Sequence, residues 1–155
     1  MFSKACEYGI RATLYIAMKS LQAQRVSLRD IAREIDSPVA FTAKILQQLT
    51  RNHIIDSMKG VSGGFEIHPD KIDAIKLSRI ISAIDGDSVY KGCGLGLHEC
   101  SELYPCPFHE KFKIIREELK DMLESTSVLD LSRRLEMGLT FLKRETDIYR
   151  TAETI

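Results

Sequence analysis

Two short amphipathic helical patterns separated by a single Ser-Pro step, then a glycine-rich turn between two extended runs, restrict residues 27–69 to very few folds. Ser27 opens the first pattern as an N-cap, with Asp30 in a capping-box-like position and Leu28, Ile31, Ala32 and Ile35 recurring at helical spacing. The pattern stops at Asp36. Ser37-Pro38 is the next start signal, a Ser N-cap followed by Pro at the first helical position, where its missing N–H costs nothing. This helix is expected to run to about Asn52. At about 100° per residue, Thr42, Ile45, Leu46 and Leu49 fall on one side, and Ala40, Lys44, Gln47 and Arg51 on the other. One side packs and the other is free.

Ile54 to Met58, the turn Lys59-Gly60-Val61-Ser62-Gly63-Gly64 and Phe65 to His68 read as a β-hairpin closed by Pro69. Two helices joined by a tight turn and followed by a hairpin describe a winged helix-turn-helix, whose second helix enters the major groove while the hairpin forms the wing. The expected fold class is therefore mainly α with a small β wing. Further helices are predicted over residues 5–22, 77–85, 108–123 and 128–142. Gly86 closes the helix at 77–85, and residues 86–107 are a long loop rich in Gly, Pro and Cys. The organisation predicted is a DNA-binding unit over 1–85, a cysteine-rich sensor loop over 86–107, dimerisation helices over 108–142 and a patternless tail, expected to be poorly ordered, over 143–155. The N-terminal helix is expected to share in the dimer contact.

Hydrophobic residues make up 44% of the chain, enough to fill one core. No run long enough for a membrane span and no signal-peptide pattern occurs, so a cytoplasmic location is expected. The net charge of zero hides an uneven distribution: residues 1–76 carry 11 basic and 8 acidic side chains, the remainder 11 and 14. A mildly basic first half permits phosphate contacts, which need only a locally positive face.

Three of the four cysteines, Cys93, Cys100 and Cys106, fall within fourteen residues. In a reducing compartment such clustering favours metal or redox chemistry over a disulfide framework. Thiolates are preferred iron-sulfur ligands, and these three supply all but one of the usual four positions. A Cys3His set with His109, three residues beyond Cys106, also suits tetrahedral zinc, although structural zinc sites usually space their cysteines more closely. Plain buried cysteines are the remaining reading. Cys6 stands apart among apolar residues and reads as core, and His98 as a solvated side chain. An enzyme using Cys106 and His109 for thiol chemistry has no accompanying nucleophile-base-orienter set, so no enzymatic activity is expected.

The helix, helix-turn-helix, wing, short helix, three-cysteine loop and long helix, taken in that order, resemble the IscR/NsrR/CymR (Rrf-two) family of bacterial regulators over about residues 1–142. The segment Glu7-Tyr8-Gly9-Ile10-Arg11-Ala12, the wing Lys59 to Phe65 and the three cysteines carry the likeness. The resemblance implies a transcription regulator sensing iron-sulfur, redox or nitric oxide status, with a two-iron cluster favoured over a four-iron one. Cluster-binding members space their cysteines evenly, whereas the gaps here are six and five residues. Members without cysteines exist, so a zinc-stabilised or cofactor-free regulator, or a protein-interaction module, stays open. The resemblance offers two fourth ligands: His109, as in members where a His completes a two-iron cluster, and Glu7, at a position where relatives donate a carboxylate from the other subunit. Arg11 occupies the place of a His that one redox sensor of the family sets beside such a Glu.

The partner implied is duplex DNA with a roughly palindromic site, read by a homodimer. Ser37, Ala40, Thr42, Ala43, Lys44 and Gln47 lie at the reading end of the second helix, although Thr42 also faces inward. Ala methyl groups meet thymine methyls, and Lys44 or Gln47 reaches guanine or adenine. Lys59 on the wing is expected to touch phosphate or enter a minor groove, and Ser27 and Arg29 to contact phosphate.

Overall fold

A computed structural model describes residues 1–143. Its elements are α1 (Lys4–Leu21), α2 (Leu28–Glu34), α3 (Val39–Arg51), β1 (Asp56–Met58), β2 (Gly64–Glu66), α4 (Pro69–Ile72), α5 (Leu77–Ile84), α6 (Ser88–Lys91), α7 (His109–Ser125) and α8 (Val128–Glu136). This is the mainly helical, two-stranded winged arrangement expected. Isoleucine dominates the core: Ile16 of α1, Ile31 at the heart of α2, Ile45 of α3, Ile54 and Ile67 flanking the wing, and Ile80 of α5 are all buried. Each such side chain contributes about 1.5–3 kcal/mol on leaving water, so α1, against which α3, α5 and α8 all pack, is the spine of the unit.

The wing is a short antiparallel pair with Asp56 opposite Glu66, Ser57 opposite Phe65 and Met58 opposite Gly64. Phe65 exchanges two backbone hydrogen bonds with Val26, N–H to O at 2.8 and 3.1 Å, which ties the wing to the strand-like entry into α2. The Gly63-Gly64 pair is a packing requirement. Gly64 has φ of +134°, and a Cβ there would lie 2.7 Å from the Val26 carbonyl oxygen. A Cβ on Gly63 would meet the Met58 carbonyl at 2.2 Å.

Several elements differ from expectation. Pro38 rather than Ser37 stands at the N-cap of α3, and no side chain caps that helix. Ser37 lies one residue outside, and its hydroxyl is hydrogen-bonded with the Thr42 hydroxyl at 2.9 Å. Pro69, read as a terminator, instead begins the four-residue α4, and α6 interrupts the cysteine loop. The helix expected over 128–142 ends at Glu136, followed by Gly138 with φ of +71°. Within the chain α8 packs back on α1, where the Ser132 hydroxyl reaches the Leu14 carbonyl at 3.4 Å. The tail expectation lies outside the described residues, apart from Lys143, which pairs with Glu34 at 3.8 Å. Among the described residues no helix is long and apolar enough to cross a membrane.

Candidate nucleic-acid interface and cysteine loop

The turn between α2 and α3 is made by Asp36 in the left-handed region at φ of +52°, a conformation Asp tolerates. The Ser37 N–H then bonds the Ala32 carbonyl at 2.9 Å. Arg11 of α1 reinforces this corner by donating to the Ile35 carbonyl at 2.9 Å while its guanidinium lies 4.6 Å from the Tyr8 ring centre. Tyr8 meets Phe41, in the first turn of α3, edge to face at 5.8 Å. The N-terminal helix thus sets the orientation of α3.

On α3 itself, Ala40, Lys44, Gln47 and Arg51 are exposed on one side and Ala43 is half-buried beside them. Thr42 is corrected: it is fully buried, and its hydroxyl also bonds the Pro38 carbonyl at 2.9 Å, so it supports the helix start and presents nothing to a groove. Ser37 is half-buried by the same contact. Ser27 caps α2, accepting from the Asp30 N–H at 3.2 Å and remaining exposed, and Arg29 is exposed on the same helix. Lys59 projects from the wing beside the fully exposed Val61. A groove of about 340 Å³ separates α3 from the wing, with Lys44, Gln47 and Arg51 on one wall and Ser57 of β1 on the other.

The cysteine loop lies along α7. Arg116 donates to the Gly92 carbonyl at 2.7 Å, and Gly94 sits so close to the Phe112 ring that a Cβ would approach it to 2.9 Å. Lys113 pairs with Glu102. Cys93, Cys100 and Cys106 are free and partly exposed, and Cys6 is buried as expected. The backbone N–H groups of Leu95 and Leu97 point at the Cys93 sulfur and hold its thiol below the ordinary value, with Cys106 adding a further hydrogen bond. The Leu95 N–H lies 3.4 Å from that sulfur. The Cys100 sulfur lies 3.4 Å from Nδ1 of His109, which begins α7 and is only 5% exposed. His98 is exposed.

Glu7 stands apart, in the first turn of α1, paired with Lys4 at 2.9 Å. Burial, followed by the neighbouring Asp85 carboxylate, pushes the Cys6 thiol up to about 12. Asp85, at the C-terminal end of α5, also accepts hydrogen bonds from the Ser3 N–H at 2.9 Å and from the Ser3 hydroxyl, so the root of the loop is clasped to the start of α1.

The donor chemistry suits a thiophilic group: three thiols, one buried imidazole, and amide donors aimed at sulfur, an arrangement that stabilises negative charge on it. In this conformation the Cys100 sulfur faces His109, and the Cys93 sulfur faces the Leu95 N–H. Among the described residues no three His, Cys, Asp or Glu side chains are gathered into one metal-binding group.

Residues 2–134 match the Rrf2 family, described as iron-dependent transcriptional regulator. A protein of Aquifex aeolicus named as an HTH-type transcriptional regulator is 30% identical, the alignment spanning 84% of this chain and 90% of that protein. The fold is shared with CymR (YrzC), the global cysteine regulator of B. subtilis, at a TM-score of 0.69 and 22% identity over 86% of this chain and 96% of that one. It is shared equally with T. potens IscR, at a TM-score of 0.66 and 17% identity over 90% and 91% of the two chains. Members of the family regulate transcription and are not enzymes. The exposed face of α3, the two-stranded wing and the match over nearly the whole described chain together make this protein a member of the Rrf2 family of winged helix-turn-helix, DNA-binding transcriptional regulators.

Proposed function

We propose that this regulator responds to iron-sulfur, redox or nitric oxide status through a cluster held by Cys93, Cys100 and Cys106, with His109 as the fourth donor. The observation that carries the reading is the contact between Cys100 and His109: an imidazole buried at the start of α7 faces a loop thiol across 3.4 Å. A buried His lacking such a role would ordinarily bond a carbonyl or carboxylate. Glu7, which within one protomer faces Lys4 and solvent, is the weaker fourth ligand. Mixed Cys and His ligation favours a two-iron cluster, and when bound such a group supplies a reversible one-electron couple at a higher potential than all-thiolate ligation gives.

The chain's own contacts supply the route to DNA. Gly94 on Phe112 and Arg116 on Gly92 couple the loop to α7, and Asp85 on Ser3 couples its root to α1. Since α1 orients α3 through Arg11 and Tyr8, a loop that repacks changes how α3 is presented. Ile115 and Met122 belong to an exposed apolar stripe on α7, which pairs with its two-fold mate to give a homodimer on a roughly palindromic site. In this dimer Ala40, Ala43, Lys44 and Gln47 read base edges, while Ser27, Arg29 and Lys59 touch phosphate or the minor groove.

Selection of genomic fragments by anaerobically purified protein, repeated after chelator treatment, tests the coupling. The expected result is that one form enriches a two-fold site at least tenfold over the other. Equal enrichment by both forms would remove the sensing role and leave a cofactor-free or zinc-stabilised regulator.

A further inference from the structure

We infer that Arg51, with Ser57 across from it, anchors a phosphate of one DNA strand where that strand crosses the groove between α3 and the wing. This assignment rests on α3 being the helix that meets DNA. Arg51 occupies the last turn of α3, on the same exposed side as Lys44 and Gln47, so the three form a polar stripe running away from the reading end. The groove they border, about 340 Å³, contains no carboxylate, and Ser57 of β1 closes it from the wing side.

Most arginines nearby already have protein partners. Arg11 bonds the Ile35 carbonyl, Arg25 pairs with Glu66, Arg33 with Asp30, and Arg79 bonds the Asn52 and His53 carbonyls. Among the described residues no side-chain hydrogen bond or ion pair involves Arg51 or the more distant Arg29 of α2, and both are exposed. A planar guanidinium with no competing carboxylate is suited to bidentate capture of a phosphate, and a hydroxyl across the groove offers a further donor. The groove is continuous with the exposed face of α3, so its occupant is the backbone of the same duplex that α3 reads. Such a contact fixes position on the duplex without carrying sequence information.

The experiment measures binding of the full-length protein to two unrelated mixed-sequence 30-base-pair duplexes across a salt series. Arg51→Gln is expected to weaken binding equally on both and to reduce the slope of log K against log salt by about 0.9, the value for one phosphate contact on B-DNA. Arg51→Lys, which keeps the charge, is expected to restore the slope, while Arg134→Gln on the exposed side of α8 leaves it unchanged. An unchanged slope in Arg51→Gln, a loss confined to one duplex, or a slope not restored by lysine overturns the assignment. Failure of the wild-type protein to bind either duplex would instead overturn the role of α3.

Discussion

The sulfur of Cys100 and Nδ1 of His109 stand 3.4 Å apart although they lie nine positions apart in the chain. The approach is produced by the start of α7: the His109 N–H bonds the Cys106 carbonyl at 2.9 Å, turning the imidazole inward beneath the loop. Replacing His109 by Ala is expected to lower iron retained after anaerobic gel filtration at least tenfold. His109→Cys is expected to retain it with a lower reduction potential, since an imidazole ligand is replaced by thiolate. Full retention by His109→Ala would transfer the fourth position to another donor, Glu7 being the next to test.

Cys6 gives a pH signature independent of the loop. Its thiol is pushed from 9.0 up to about 12 in the folded protein. The unfolded chain therefore releases this proton first as pH rises, so stability from this group is fully present below about 9 and declines toward 12. Urea denaturation between pH 8 and 10.5 is expected to show a fall that is shallower in Cys6→Ala. Parallel profiles for the two proteins would contradict the assignment.

Gly64 is fixed by two constraints at once, its φ of +134° and the Val26 carbonyl 2.7 Å from where a Cβ would stand. Gly64→Ala is expected to destabilise the protein by about 1–3 kcal/mol and to weaken DNA binding, because the wing loses its tie to the entry of α2. A change in unfolding free energy below about 0.5 kcal/mol, the ordinary scatter of surface substitutions, would show that the wing is not so held.

The positions of α2, α3 and the wing follow from local chemistry: caps, a 3.6-residue period and two glycines whose need is steric. The same locality explains what could not be read. Four residues are too few to show a period, so α4 and α6 were hidden, and Pro69 begins a helix as readily as it ends a strand. The Ser37 side chain is diverted by Thr42, a contact invisible to a capping rule. Residues 137–142 keep helical composition, yet Gly138 in the left-handed region ends the turn. In the loop, His109 was identifiable as a donor by its distance from Cys106 along the chain. Its burial against Cys100, and the amides gathered on Cys93, depend on how α7 and the loop pack.

The apolar stripe of α7 leaves Ile115 59% exposed in the single protomer. Ile115→Glu would place a charge in the two-fold contact, where it has no partner. Sedimentation is expected to show a dimer for the wild type and a monomer for the variant, with DNA affinity reduced at least tenfold. A variant that remains dimeric would relocate the interface to another face.

Iron and acid-labile sulfide measured on anaerobically purified protein, with visible spectra, test the loop most directly. The account predicts a coloured protein with about two iron and two sulfide per subunit, lost together when Cys93, Cys100 or Cys106 is replaced by Ala. A colourless protein carrying stoichiometric zinc, or iron content indifferent to all three substitutions, would contradict it.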